Sequence, residues 1–175
     1  MKRITFSGIF LIIIVATFFS CKKEDLRAKA RRFRKEELAQ LDSFITKNYP
    51  DVKPTASGLY FIETRKGTGD TIKIGDRVQI YYAVWSIDSF LIDETVGYLE
   101  GLRYEPYELI VGAKGTIVGL QEGLTYMQPG AKANLVINSE LAYGDGSSSS
   151  SPLPGFMTLL YEVEVYKVFP LKTSN

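Results

Sequence analysis

The sequence predicts an α+β fold: antiparallel strands gathered about one short helix, with a longer helix ahead of them. Three observations carry this. Between Leu59 and Val168 apolar and β-branched residues recur in short, mostly alternating runs, the period of a half-buried strand. Within that region only Gly115 to Met127 has helical spacing, with Ile117, Leu120, Leu124 and Met127 on one face and Pro129-Gly130 closing it. Ahead of it, Glu24 to Asn48 contains neither Pro nor Gly. Many strands around one helix make an α+β domain.

In the N-terminal stretch Leu26, Ala30, Phe33, Leu41, Phe44 and Ile45 fall at three- and four-residue steps, one face of a helix. From Lys29 to Glu37 it is charged nearly all round, so the sequence predicts a solvated helix whose C-terminal half docks on something; a dimerisation or partner helix is the alternative. Tyr49-Pro50 ends it, since the residue before Pro disfavours helix, and Asp51 to Ser57 reads as a linker. Strands are expected at Leu59 to Thr64, Arg77 to Trp85, Phe90 to Ile92, Tyr107 to Val111, Ala133 to Ile137 and Met157 to Val168, with a turn at Lys66-Gly67-Thr68-Gly69-Asp70. Ser147 to Ser151 reads as a loop, and no internal repeat is found. The expected boundaries are residues 1–20, 21–56, 57–169 and a tail at 170–175.

The 175 residues carry 21 basic and 20 acidic side chains, one Cys and no His. Without His there is no Ser-His-Asp triad, His general base or zincin helix. One Cys permits no intrachain disulfide. A near-zero net charge argues against nucleic acid as a partner, because such binding needs a basic face. Gly67-Thr68-Gly69 opens no helix and lacks a third glycine, so no nucleotide site is expected. Neither metal nor cofactor is implied.

Residues 1–20 read as an address. Lys2 and Arg3 precede an apolar stretch that ends at Phe19-Ser20-Cys21, the layout of a secretory signal. Its placement directly before the only Cys resembles the bacterial lipoprotein signal, although Phe18 stands where an aliphatic residue is usual. The resemblance implies lipidation (palmitate among the acyl groups) at Cys21 and a cell-envelope location, anchored to a membrane and facing the periplasm or exterior. Cleavage would leave 19 basic against 20 acidic residues, a formal −1. The alternative is an uncleaved anchor with an inert Cys21.

From Ser57 onward a series of motifs appears in order: Ser57-Gly58-Leu59-Tyr60, Lys66-Gly67-Thr68-Gly69, Ile80-Tyr81-Tyr82, Ile92-Asp93, Ile117-Val118-Gly119-Leu120-Gln121-Glu122-Gly123, Met127-Gln128-Pro129-Gly130, Glu140-Leu141-Ala142-Tyr143-Gly144, and Thr158 to Glu164. The series resembles the FKBP family of peptidyl-prolyl cis-trans isomerases. The N-terminal arrangement further resembles the gliding-motility-associated FKBP lipoproteins of some bacteria. The resemblance implies a twisted antiparallel sheet wrapped around one short helix, with an apolar pocket between them.

Carried over residue by residue, the catalytic positions are Tyr82, Asp93, Ile117, Tyr143 and Tyr161. Ile92, Tyr107, Leu109, Thr116, Leu120 and Leu153 would line the pocket. Taken without the motifs, the tyrosines read as core aromatics more readily than as ligand contacts, the aliphatic residues as simple core, and Asp93 as a turn or capping residue. The implied activity is isomerisation of X-Pro bonds in unfolded or exported polypeptides, without a cofactor. Its barrier of roughly 18–20 kcal/mol comes from amide resonance, and the twisted transition state is less polar than the planar amide. A dry aromatic cavity therefore favours it. The alternative is a weakly active or inactive polypeptide-binding module. Leu120 stands where the family commonly has Trp, and Ile92 where it commonly has Phe, so lower turnover and weak binding of macrolide inhibitors are expected. The segment Glu94 to Glu105 is longer than in compact members and reads as a self-packed loop or a docking surface for unfolded clients.

Overall fold

The computed structural model describes residues 25–146, 151 and 153–171. Residues 1–20, the expected lipidation position Cys21 and Ser147 to Ser150 lie outside the described residues, so the expected address, and most of the serine tract, do too. The chain divides into two compact units, Met1–Arg32 and Phe33–Asn175. In the first, the described residues 25–32 begin helix α1 (Leu26–Asn48). Asp25 caps it, its side chain accepting the Arg27 N–H at 3.1 Å. Among the described residues no helix is long and apolar enough to cross a membrane.

The second unit holds the predicted α+β architecture. Its strands are β1 (Tyr60–Arg65), β2 (Arg77–Ser86), β3 (Leu91–Glu94), β4 (Tyr107–Ile110), β5 (Lys132–Ile137) and β6 (Leu159–Phe169). They form one antiparallel sheet in the order β1-β5-β6-β2-β3. β4 pairs β2 alongside β3: Arg77 to Ile80 face β4, and Ala83 to Trp85 face β3.

Alternation separates the two faces of the sheet. Val78, Ile80 and Val84 of β2, Ala133, Leu135 and Ile137 of β5, and Leu159, Val163 and Val165 of β6 point inward into one apolar core. Helix α2 (Val118–Thr125) covers that face and buries Leu120 and Leu124 in it. Its glycines permit the approach: a Cβ on Gly123 would lie 2.6 Å from Leu135 Cδ1. The helix is shorter than the stretch Gly115 to Met127 that the spacing predicts. Gly115 has φ +109° and Ile117 is extended at φ −64°, ψ 145°, so the chain enters the helix only at Val118.

The outer face has two covers. Leu41 and Ile45 of α1 pack on Val136, with Phe44, Tyr49, Tyr60, Ile62 and Leu160 around them; this is what the helix's C-terminal half docks on. The expectation of a solvated helix needs correction at Glu37, which is buried with them. The segment between β3 and β4 covers the rest, burying Tyr98 against Tyr81, Ala83 and Trp85. Arg103 from the same segment pairs with Glu164 at 2.8 Å and lies over the Tyr98 ring, 4.6 Å from its centroid. The self-packed reading holds at Tyr98, while Val96 and Tyr104 stay exposed.

Candidate functional site

A cleft of about 510 Å³ opens between the inner face of the sheet, α2 and the turn after the short 3-10 helix Ser139–Leu141. Each wall has its own element. Tyr82 and Tyr161 point inward from β2 and β6, one strand apart, because both sit at core-facing positions of their alternation. Tyr107 opens β4 opposite Ile80, and Asp93 lies opposite Val84 on β3, just before that pairing's register shift. Thr116, Ile117 and Leu120 come from the entry and first turn of α2, and Tyr143 from the turn opposite.

The three strand tyrosines form a cage. The Tyr82 ring meets Tyr107 edge-on at 5.7 Å and leans on Tyr161 at 5.9 Å, arrangements that aromatic quadrupoles favour. Leu120, 3% exposed, floors the cage. The Tyr82 hydroxyl donates to Asp93 Oδ2 at 2.6 Å, and Asp93 Oδ1 accepts the Glu94 N–H at 2.9 Å. Asp93 therefore organises the hydrogen bonds of the cleft wall.

The Tyr82, Tyr143 and Tyr161 phenols are all held above their ordinary range. Burial, then the hydrogen bond to Asp93, pushes the Tyr82 phenol well above its ordinary range. Burial and the neighbouring Tyr143 do the same for Tyr161. Tyr143 is raised by burial and by the Asp93 charge. Desolvation and a nearby carboxylate both disfavour phenolate, so these groups act as walls and donors at neutral pH. Among the described residues neither the Tyr143 hydroxyl nor the Ile117 N–H has a hydrogen-bond partner. Tyr143 and Ile117 line the same cavity as the three strand tyrosines, Leu120, Asp93 and Thr116.

Eight of the expected residues therefore meet in this cleft: Tyr82, Asp93, Tyr107, Thr116, Ile117, Leu120, Tyr143 and Tyr161. Ile92 and Leu153 line an adjoining lobe of about 320 Å³ instead, which shares Asp93, Tyr143 and Tyr161 with the cleft. Leu109 does not line it. Two pairs further along β4 than Tyr107, it sits opposite Val78 and is buried in the core. Gly115, Val118 and Ala142 complete the lining; all three adjoin expected residues, and their chain positions were the only signal. Gln121 was missed as a support. Its side chain accepts the Gly112 N–H at 2.7 Å and donates to the Ala113 and Thr116 carbonyls at 2.9 and 3.0 Å, fixing the loop that delivers Ile117.

The profile of the FKBP-type peptidyl-prolyl cis-trans isomerase family matches residues 69–166. The 22 kDa FKBP-type peptidyl-prolyl cis-trans isomerase of Escherichia coli K12 is 38% identical over 117 residues, covering 67% of this chain and 53% of that protein. A probable FKBP-type peptidyl-prolyl cis-trans isomerase of Haemophilus influenzae is 34% identical over 146 residues, 82% of this chain and 57% of that protein. The crystal structure of FkpA from Escherichia coli aligns with a TM-score of 0.67 at 27% identity, over 97% of this chain and 75% of that one. The chain spans a little over half the length of these two curated relatives. With the sheet, the crossing helix and the tyrosine cage in place, the chain belongs to the FKBP-type peptidyl-prolyl cis-trans isomerase family.

Proposed function

We propose that this protein is a peptidyl-prolyl cis-trans isomerase acting on proline-containing, exported polypeptides at a bacterial cell envelope, held to the membrane by lipid on Cys21. The observation that carries the activity is the cleft itself: a cage of tyrosine rings over Leu120, lined also by Tyr143 and Ile117, whose hydroxyl and N–H have no hydrogen-bond partner among the described residues. A Pro ring enters among Tyr82, Tyr107 and Tyr161 and rests on Leu120. The Tyr143 hydroxyl and the Ile117 N–H hold carbonyls on either side of the X-Pro bond and leave that bond free to turn. Because amide resonance is lost at the twist, the developing state sheds charge separation and is favoured where water is excluded. Asp93 fixes Tyr82 and transfers no proton. The names of the relatives and the family to which the chain belongs support this reading.

The envelope location, the lipid and the place among gliding-motility-associated FKBP lipoproteins rest on the charged start, the apolar stretch and Cys21. Cys21→Ser tests the anchor, which predicts loss of labelling by a palmitate analogue and release from membranes.

Acceleration of a proline-limited refolding reaction by the purified protein, reduced at least about tenfold by Tyr143→Phe, tests the activity. Its absence in wild type would leave the second reading, a polypeptide-binding module. Leu120, in place of an aromatic floor, and the exposed Phe90, Val96 and Tyr104 favour that one. It predicts suppressed aggregation of an unfolded client that survives Tyr143→Phe. Either way macrolide inhibitors bind weakly, since Leu120 and Ile92 offer them little aromatic surface.

A further inference from the structure

We propose that Glu37 of α1 is a positioning residue for Tyr143, so that the N-terminal helix is part of the working cleft; this rests on the isomerase reading above. Glu37 is 3% exposed, far outside the cleft's lining, and its carboxylate is fully occupied. Oε1 accepts the Ser139 N–H at 2.7 Å and the Thr158 hydroxyl at 3.0 Å. Oε2 accepts the Ser139 hydroxyl at 2.7 Å and Arg34 Nη1 at 2.6 Å. A buried carboxylate left unpaired would be costly, and an apolar residue of similar size could serve stability as well. What four donors on one rigid acceptor add is direction.

That direction leads to the site. The Ser139 carbonyl accepts the N–H groups of Ala142 at 3.0 Å and Gly144 at 2.7 Å, the residues on either side of Tyr143. Arg34, one helical turn before Glu37, holds the same segment from outside through Glu140 at 2.8 Å. Thr158, the other ligand of the carboxylate, immediately precedes the strand that carries Tyr161. One carboxylate on α1 therefore ties the Tyr143 turn to the start of β6, the strand that pairs with β2 and carries Tyr161 beside Tyr82. A displacement of about 1 Å at a group that orients substrate can cost on the order of 100-fold in rate.

The test uses the full chain with Glu37→Gln, and two readouts. Amide hydrogen exchange at Ala142 and Gly144 should quicken by about tenfold or more while amides of β5 and β6 are unchanged. In a double-mutant cycle, Glu37→Gln should lower kcat/KM about tenfold in wild type but less than about twofold in a Tyr143→Phe background. Unchanged exchange, or losses that simply multiply, would overturn the proposal. If Glu37→Gln does not fold, Ser139→Ala, which removes one donor and keeps the N–H, carries the same two measurements. Should wild type itself fail to isomerise, the isomerase reading falls, and the exchange result alone then decides whether Glu37 holds the turn.

Discussion

Tyr81 and Tyr82 are neighbours on β2, and their surroundings diverge completely. Tyr82 points inward to an open cleft and donates to Asp93 at 2.6 Å. Tyr81 points outward and is sealed: the Tyr98 ring lies parallel to it at 6.4 Å, and Tyr98 in turn donates to Glu162 at 2.7 Å. Each face thus has a phenol–carboxylate pair. On the outer face the segment after β3 supplies an occupant for Tyr81, whereas on the inner face the space among Tyr82, Tyr107 and Tyr161 is open. A phenol–carboxylate pair does not mark a site; an uncovered one does.

The largest expected effect breaks the outer seal. Tyr98→Ala should cost about 3–4 kcal/mol in urea unfolding, as for a buried aromatic removed from a closed cluster, while kcat/KM stays within about twofold. A collapse of activity would mean that the two faces are not independent. Tyr82→Phe is the inner counterpart. It should lower kcat/KM by about tenfold, near 1.4 kcal/mol, and change stability by less than about 1 kcal/mol; equal losses in both would make Tyr82 a core residue. Leu120→Trp sharpens the comparison, since an aromatic floor should raise kcat/KM a few-fold while overpacking costs about 1–3 kcal/mol of stability.

The smallest effect is acid sensitivity, which belongs to the outer side. Burial raises the Glu164 carboxyl, but hydrogen bonds from Arg65, Arg103 and Lys132 outweigh it and hold it below its ordinary value of 4.5. For Glu37 burial is likewise outweighed, by Ser139 and Arg34. A folded value below the unfolded one means that each contributes stability above about pH 4.5, lost as pH falls through the folded value. Urea midpoints should therefore drop on acidification, less steeply in Glu164→Gln. The raised cleft phenols predict no phenol titration in kcat/KM between about pH 6 and 9.

Most of the cleft was legible because its residues sit in short, ordered motifs that resemble the family's. Leu109 misled, since a strand residue two positions from a cleft residue shares its face without sharing its depth. The entry to α2 misled for a related reason. Ile117 and Met127 fit the helical stripe, yet Gly115 takes a positive φ and the Ile117 backbone stays extended. Glu37 was invisible. Its partners Ser139 and Thr158 lie 102 and 121 residues away, and within its own helix it reads as one more surface charge.

By itself the sequence determined the α+β class, the strand order along the chain and the family. All of these follow from local period and from motifs that a reader meets in order. Tertiary structure alone decided which phenol faces a cleft and which a cover, that Ile92 and Leu153 form a side lobe, and that a helix carboxylate braces the Tyr143 turn. Depth, closure and long-range pairing depend on what other elements bring to the same place, and residue spacing along one element carries no record of that.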